Sequence, residues 1–325
     1  MSEIISIIVP CYQEEAAIPI FYEELIHVID EMKEHEFQIL FVDDGSVDRS
    51  REEIRELAEK DDRVEYLFFS RNFGKEAGMY AGLQHARGTL TVIMDVDLQD
   101  PPSLLPEMIR GIREEGFDAV ATRRVNRKGE PRIRSFFARI FYRIMNRITD
   151  VDLVDGARDF RMMNRKFVDA LLQYREHNRF SKGLFGSVGF KTKWIEYENV
   201  KRSAGETKWS FFKLVRYSIE GIVAFSTMPL MIASVIGFFM CFFSVLFILF
   251  IIIRKLVMGD PVAGWPSMVC IISFIGGIQL FALGVIGQYL AKTYIEIKDR
   301  PIYIIDEKHC SADHADNSTE TEAGS

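Results

Sequence analysis

Short apolar runs alternate with amphipathic segments along the first third of the chain. The apolar runs, each rich in β-branched or aromatic residues, cover residues 4–9, 37–42, 64–69, 90–94 and 119–122. Between them, apolar residues recur at helical spacing over residues 17–34, 48–60, 75–86 and 104–115. Continuous apolar strands that alternate with helices are typical of a parallel sheet with helices on both faces. The pattern predicts an α/β domain with a doubly wound, mostly parallel, Rossmann-like sheet.

Two long uncharged runs follow, at residues 229–253 and 266–290. Each is long enough to cross a bilayer with some tilt. The alternative is a pair of buried core helices, although core helices seldom stay apolar on every side over such a length. The short connector predicts a hairpin, and the glycines of the second run permit close helix contact and a possible homo-oligomer.

Charges around the hairpin predict its orientation. On the terminal side lie five basic residues: Lys213, Arg216, Lys292, Lys298 and Arg300. The connector contains Arg254 and Lys255. The positive-inside rule then places the N-terminal domain in the cytosol and makes the chain a multi-pass protein of the inner (plasma) membrane.

Two further segments combine basic and aromatic residues. Residues 131–149 repeat Arg139, Arg143 and Arg147 among phenylalanines and isoleucines, and residues 209–225 pair aromatic side chains with Lys213 and Arg216. Such segments are typical of interfacial amphipathic helices, although 131–149 is equally consistent with an ordinary surface helix. The predicted organisation is a catalytic domain at 1–208, a juxtamembrane helix at 209–226, two spans within 227–292 and a C-terminal segment at 293–325, disordered from about residue 309.

Charge and cysteine content narrow the function. A formal net charge of −7 disfavours a nucleic-acid partner. The four cysteines are widely separated and have no metal or redox spacing, so we expect reduced thiols.

The strongest chemical signal comes directly after the fourth predicted strand. Asp95 and Asp97 stand one residue apart there, with Gln99 following. Carboxylates at the carboxyl end of a strand point into the crevice where open α/β sheets bind ligands. Their oxygens suit Mg²⁺ or Mn²⁺, which would hold the diphosphate of a nucleotide. The alternative is a simple acidic turn, since Asp is common in turns.

Two other loops should lie at the same edge of the sheet. One contains Tyr12, whose ring could stack on a base, and the other contains Asp43 and Asp44, of which Asp44 could accept hydrogen bonds from a nucleobase. Asp43 and Asp44 are equally consistent with residues that cap a helix. No Gly-x-Gly-x-x-Gly follows the first strand and no P-loop motif is present, so the sequence does not support classical dinucleotide or P-loop binding.

The ordered motifs resemble those of family 2 glycosyltransferases with a GT-A fold, in particular the enzymes that act on polyprenyl phosphates, the bactoprenol glucosyltransferases and dolichol-phosphate mannose synthases. The resemblance runs from residue 4 to about residue 300, with Gln13 standing where the family often has Asn. The matching pieces are Ile8-Val9-Pro10-Cys11-Tyr12-Gln13-Glu14, Val42-Asp43-Asp44-Gly45-Ser46, Arg71-Asn72-Phe73-Gly74-Lys75-Glu76, Asp95-Val96-Asp97-Leu98-Gln99-Asp100-Pro101-Pro102, Asp159-Phe160-Arg161 and Arg202-Ser203-Ala204-Gly205-Glu206-Thr207-Lys208-Trp209.

The resemblance implies a role for each matching position. The residues that would hold the nucleoside are Pro10, Tyr12, Glu14 and Asp44, with Asp43 nearby. Those that would surround the metal and diphosphate are Asp95, Asp97 and Gln99, of which Asp97 also counts as catalytic. Asp159 corresponds to the proposed catalytic carboxylate, and Arg202 and Lys208 to contacts with phosphates near the membrane. Lys75 is either a donor-site residue or a partner in an ion pair with Glu76 or another neighbour.

The implied reaction is inverting transfer of one hexose, with glucose or N-acetylglucosamine favoured, from a UDP-sugar to undecaprenyl phosphate. One alternative is a processive polysaccharide synthase, but the chain contains no Gln-x-x-Arg-Trp motif and two spans are too few to enclose a polymer. The other is a non-catalytic, membrane-anchored scaffold that binds nucleotide or uses Asp43 and Asp44 as a phosphoacceptor site. That alternative leaves Asp95, Asp159 and Arg202 without a purpose.

Overall fold

The computed structural model describes residues 3–124, 154, 156–177, 179–197, 226–258 and 264–310. The chain divides into two compact units, one formed by Met1–Ser210 with Pro301–Ser325 and the other by Phe211–Arg300. The predicted interfacial segments at 131–149 and 209–225 lie outside the described residues, as do Arg202 and Lys208.

The first unit is built on one mixed sheet flanked by helices. Its strands are β1 (Glu3–Cys11), β2 (His35–Asp43), β3 (Val64–Phe69), β4 (Leu90–Ile93), β5 (Ala119–Arg124), β6 (Ala157–Asn164), β7 (Thr192–Tyr197) and β8 (Ile305–His309). Its helices are α1 (Ala17–Ile29), α2 (Ser50–Lys60), α3 (Lys75–His85), α4 (Leu105–Arg113), α5 (Arg165–Leu172) and α6 (Ser181–Ser187), with a 3-10 turn at Pro102–Leu104.

The strands are arranged in the order β7-β5-β6-β4-β1-β2-β3-β8. The central strands β4, β1, β2 and β3 are parallel, as are β5 and β7, whereas β6 and β8 run antiparallel to their neighbours. The predicted α/β fold is confirmed, with a parallel centre and two reversed strands. Because β1 pairs with β2 on one side and β4 on the other, the topological switch point lies at the carboxyl end of β1.

Burial explains why these segments form strands and helices. From Ile5 to Cys11 every residue of β1 is buried, which is typical of a central strand covered on both faces. Helix α1 buries residues three or four apart, such as Phe21 and Leu25, against that sheet. Helix α3 packs more closely still, because a Cβ at Gly82 would lie 2.2 Å from Cγ2 of Ile8. The second half of α3 is thereby packed against β1.

Strand β8 returns the chain to the sheet after the second long helix. It pairs antiparallel with β3, and Arg55 holds it through two hydrogen bonds to Glu307, at 3.1 and 2.6 Å. The Tyr303 ring stacks on Phe69 with centroids 5.0 Å apart. Sequence patterning did not predict this strand, because the strand is short and mostly polar. It also lies far from β3 along the chain.

The second unit contains two long helices, α7 (Met228–Met258) and α8 (Trp265–Ile297). Within them, Met228–Phe247 and Phe274–Ile297 are long and apolar enough to cross a membrane. Neither stretch is buried within the protein, which disfavours the alternative of buried core helices.

Candidate active site

The site lies at the carboxyl ends of β1, β2 and β4. Cys11 and Asp43 are paired in register at the ends of β1 and β2, and the Asp44 amide donates to the Cys11 carbonyl at 3.0 Å. The backbone amide of Gln13 donates to the Ser46 hydroxyl at 2.8 Å, which joins the loop after β1 to the loop after β2. These two predicted loops therefore meet at the switch point.

Asp43 supports the loops from inside the protein. Its side chain is fully buried and accepts hydrogen bonds from the Ser46 amide, at 3.0 Å, and from Nε of Arg51, at 2.9 Å. The same guanidinium reaches Asp306 of β8 at 3.3 Å. Asp43 is thus a structural carboxylate beside the predicted nucleoside pocket.

Asp44 ties the loop after β2 to the loop after β3. Its two oxygens accept hydrogen bonds from the backbone amides of Phe73, at 2.6 Å, and Gly74, at 2.9 Å. Burial raises the pKa of Asp44 to about 6, although the two amides oppose this shift. A carboxylate of this kind is buried, well oriented and able to change its charge near neutral pH.

Gly45 makes the contact between these loops possible. Its φ is +74°, and a Cβ there would lie 2.3 Å from the carbonyl carbon of Arg71 and 2.6 Å from the amide nitrogen of Asn72. Glycine alone adopts the left-handed region without strain and leaves this space open. The two loops touch through their backbones at this residue.

The remaining nucleoside candidates surround the end of β1. Tyr12 is 39% exposed, so its ring is accessible for stacking. Pro10 is buried in β1 opposite Val42, and the Glu14 carbonyl accepts from the Ala17 amide at 2.9 Å at the start of α1. Their contacts with a nucleoside stay predictions.

The loop after β4 is held in a strained turn. The Gln99 amide donates to Oδ1 of Asp97 at 3.1 Å, and Leu98 between them has a φ of +54°, which is rare for a bulky residue. Arg158 of β6 donates to Oε1 of Gln99 at 3.0 Å and to Oδ1 of Asp100 at 3.1 Å. The Tyr197 hydroxyl also donates to Asp100.

Lys75 connects this loop to β6. Its ammonium lies 2.7 Å from Oδ1 of Asp95 and 2.6 Å from Oδ2 of Asp159. Burial would raise the pKa of Asp159, but the positive charges of Lys75 and Lys182 hold it well below its usual range. The ion pair considered as one alternative for Lys75 therefore exists, but it joins two candidate site residues instead of Glu76.

The donor atoms around Asp95 suit a hard cation. In the described ranges, no three His, Cys, Asp or Glu side chains cluster as metal ligands. Asp95 already holds a positive charge, the Lys75 ammonium, and Asp97 follows two residues later. Two carboxylates fit Mg²⁺ or Mn²⁺ when phosphate and water oxygens complete the coordination. The Gln99 oxygen, by contrast, accepts from Arg158.

Two residues beside the site, Arg158 and Lys182, escaped the sequence analysis. Arg158 anchors the Asp97–Asp100 turn, and Lys182 lies close enough to Asp159 to lower its pKa. Glu76 accepts a hydrogen bond from the Ser181 amide at 3.1 Å, so the first turns of α3 and α6 are joined. In the sequence, only the position of Arg158 next to Asp159 indicated that it belongs to the site, because neither β6 nor α6 was predicted.

Comparison with known proteins identifies the family of the chain. A family model described as "Glycosyl transferase family 2" matches residues 6–172, from within β1 to the end of α5, and this range includes every predicted site residue that the structure describes. The chain belongs to glycosyl transferase family 2. The family resemblance inferred from the motifs is therefore confirmed, together with the GT-A fold.

Relatives within this family match nearly the whole chain. A putative glycosyltransferase, CsbB, of Bacillus subtilis (strain 168) is 42% identical over 304 residues, which cover 94% of this chain and 92% of the relative. A prophage-derived bactoprenol glucosyl transferase of Shigella flexneri is 41% identical over 94% of this chain and 98% of its own length. A prophage bactoprenol glucosyl transferase homolog of Escherichia coli (strain K12) is 40% identical, with 93% and 98% covered.

Proposed function

We propose that this glycosyltransferase moves a single hexose from a UDP-sugar to undecaprenyl phosphate, or a similar polyprenyl phosphate, at the cytosolic face of the membrane. Glucose is the first candidate, because relatives named bactoprenol glucosyl transferases are about 41% identical over almost their full length. N-acetylglucosamine is the second. The observation that carries the proposal is the Asp95–Lys75–Asp159 constellation beside the switch point.

The proposed reaction is a displacement at the anomeric carbon with inversion. A lipid phosphate oxygen forms the new bond as the bond to UDP breaks, and the electron pair leaves with the diphosphate. A Mg²⁺ or Mn²⁺ ion held by Asp95 and Asp97 would neutralise the charge that develops on the leaving UDP. A phosphate monoester has its second pKa near 6, so the nucleophile is largely ionised at pH 7.

Asp159 then has an orienting role. Because the acceptor arrives mostly deprotonated, the reaction needs no strong general base. A carboxylate whose pKa is held low by Lys75 is a weak proton acceptor, and its fixed position suits alignment of the sugar or of the acceptor. Lys75 positions this carboxylate against Asp95 and screens the two negative charges from each other.

The two long helices suit an acceptor that stays in the bilayer. As membrane spans, α7 and α8 would keep the catalytic unit beside its lipid substrate and replace a search through the solution. In the same proposal, Arg202 and Lys208 contact phosphates near the surface, and the segment at 131–149 lies at the interface. The donor diphosphate and the acceptor phosphate are both anions, so positively charged side chains must lie close to them when they meet.

A transfer assay with defined products tests the proposal. Full-length protein in detergent is incubated with UDP-glucose or UDP-N-acetylglucosamine, undecaprenyl phosphate and Mg²⁺ or Mn²⁺, and the lipid product is identified by mass spectrometry. We expect one hexose per lipid, at least a hundredfold loss in Asp97→Asn, and normal turnover in the exposed control Asp62→Asn. A polymer would instead indicate a processive synthase. Near-normal turnover in a folded Asp97→Asn variant would contradict the metal role.

A further inference from the structure

Strand β6 places two chemically different side chains on one face of the sheet. Side chains alternate along a strand, so Asp159 and Arg161 share a face, while Phe160 points to the opposite face and into the core. The Arg161 guanidinium carbon lies 4.1 Å from the centroid of the Phe185 ring and 5.5 Å from that of Trp194. Arg161 thus extends from the strand of Asp159 towards α6 and β7.

Arg161 is buried without an acceptor. The residue is 4% exposed, its Nε is buried without a hydrogen-bond partner, and no ion pair among the described residues includes it. Loss of solvent lowers its pKa to about 9, and the charge of Asp159 offsets only part of that shift. Stacking on aromatic rings compensates a buried cation in part. Buried charges in proteins are as a rule paired, so this guanidinium lacks an anion.

A second cation lies beside the same carboxylate. Lys182 and Phe185 are three residues apart on α6, so they lie on one side of that helix, the side that packs on Arg161. Among the described residues Lys182 has no carboxylate partner within ion-pair distance, whereas Lys75 is held by Asp95 and Asp159, and Arg158 by Asp100. Arg161 and Lys182 therefore supply positive charge beyond what the neighbouring carboxylates use.

The order of strands indicates which ligand this charge serves. The nucleoside loops follow β1 and β2, the Asp95–Asp97 loop follows β4, and Arg161 lies on β6, one strand beyond β4. Along the sheet, the predicted positions of nucleoside and diphosphate are thus followed by Asp159, and the Arg161 guanidinium extends from the same strand towards Trp194 of β7, away from β4. A second phosphate, next to the diphosphate of the donor, belongs at that end.

We propose that Arg161 and Lys182 form the subsite for the phosphate group of the lipid acceptor, next to Asp159. The planar guanidinium would donate two parallel hydrogen bonds to phosphate oxygens, and the ammonium would add a third contact. This inference rests on the proposed function, since it assigns the acceptor end of the same site.

The test measures binding of farnesyl phosphate, with farnesol as the uncharged control. Detergent-solubilised full-length protein and its variants Arg161→Met, Arg161→Lys and Lys182→Gln are compared by thermal shift and calorimetry. Lys166→Gln serves as the matched control, because Lys166 also lies over an aromatic ring, that of Phe190, but away from the site. Affinity for UDP is measured in parallel.

We expect farnesyl phosphate, and not farnesol, to bind the parent protein. Arg161→Met and Lys182→Gln should weaken that binding at least tenfold, with UDP affinity within twofold of the parent, and Arg161→Lys should restore part of it. Methionine removes an unpaired buried charge at similar volume, so this variant should fold. Lys182→Gln, at a half-buried helix position, tests the site independently.

Three results would overturn the subsite: no binding of farnesyl phosphate to the parent, unchanged binding in both variants, or a loss of UDP affinity with farnesyl phosphate binding intact. The last result would assign the cations to the donor diphosphate. Normal binding through Arg161 without any hexose transfer would refute the proposed function and leave the subsite standing. Normal hexose transfer, with the KM for the acceptor unchanged in Arg161→Met and Lys182→Gln, would refute the subsite and leave the proposed function standing.

Discussion

Gly45 offers a sharp test of how the site is assembled. A Cβ at this position would lie 2.3 Å from the Arg71 carbonyl carbon, whereas carbon atoms pack at about 3.5–4.0 Å, so the backbone must move by roughly 1 Å or more. Residues with a Cβ lose about 1–2 kcal/mol in the left-handed region, and overpacking adds about 1–3 kcal/mol. We expect Gly45→Ala to destabilise the protein by about 2–5 kcal/mol in total.

Gly116 provides the matched control. Its φ is +71°, close to the +74° of Gly45, but no atom lies within 4 Å of the position of its Cβ. Gly116→Ala should therefore show the backbone cost alone, about 1–2 kcal/mol. The difference between the two variants isolates the clash between the loops.

Unfolding and ligand binding are measured on the same samples. Denaturant unfolding in detergent gives the stability difference, and calorimetry gives the affinity for UDP. Separation of the loops also breaks the hydrogen bonds from Phe73 and Gly74 to Asp44, so Gly45→Ala should bind UDP at least about tenfold more weakly, or 1.4 kcal/mol. Gly116→Ala should bind it normally. Equal stabilities and equal affinities in the two variants would refute the close approach of these loops.

Three further predictions concern charged groups. Lys75→Met leaves Asp95 and Asp159 facing each other roughly 5 Å apart, a repulsion of about 3 kcal/mol at a dielectric constant near 20, so kcat should fall at least tenfold, with partial recovery in Lys75→Arg. UDP affinity should weaken as pH falls through about 6, where Asp44 is protonated. Because the pKa of Asp44 is higher in the folded than in the unfolded protein, the contribution of Asp44 to the free energy of unfolding declines as pH rises from about 4 to 6. Measurements of unfolding against pH should show this decline in the parent protein and not in Asp44→Asn. Glu307→Gln should cost about 1 kcal/mol at pH 7, since hydrogen bonding to Arg55 lowers the pKa of Glu307, and thermal unfolding should show this difference vanishing as pH falls below about 4.

The parallel centre of the sheet could be predicted because its strands are buried on both faces. From β1 to β4 each strand is mostly apolar, and glycine, proline and acidic turns separate the strands, so local patterning suffices. Strands β6 and β8 gave no such signal. Along β6 charged and apolar residues are mixed without a regular pattern, as in Arg158-Asp159-Phe160-Arg161, and β8 is formed by Ile305–His309, of which only Ile305 is apolar. Their pairing depends on residues far away in the chain.

The residues of the candidate site also fall into those that the sequence predicts and those that it does not. Loops that directly follow the apolar strands, such as Asp43-Asp44-Gly45 and Asp95-Val96-Asp97, could be located from the strands alone. The partner of Asp95 could not, because Lys75 lies 20 residues earlier and Asp159 64 residues later, and only packing of α3 against the sheet brings them together. Lys75 left two alternatives open for that reason. Nothing in the sequence indicated that Arg161 is buried, or that its Nε has no partner among the residues that the structure describes.

The position of β8 has a consequence for biosynthesis. Strand β3 is an edge until Ile305–His309 pairs with it, and those residues are synthesised only after both long helices. A nascent chain folds from its N-terminus as it emerges, so the apolar edge at Val64–Phe69 stays open while the helices are made. Completion of the sheet therefore waits until both long helices have been made, and a chain that stops before Ile305 leaves the apolar edge of β3 open to pairing with other chains.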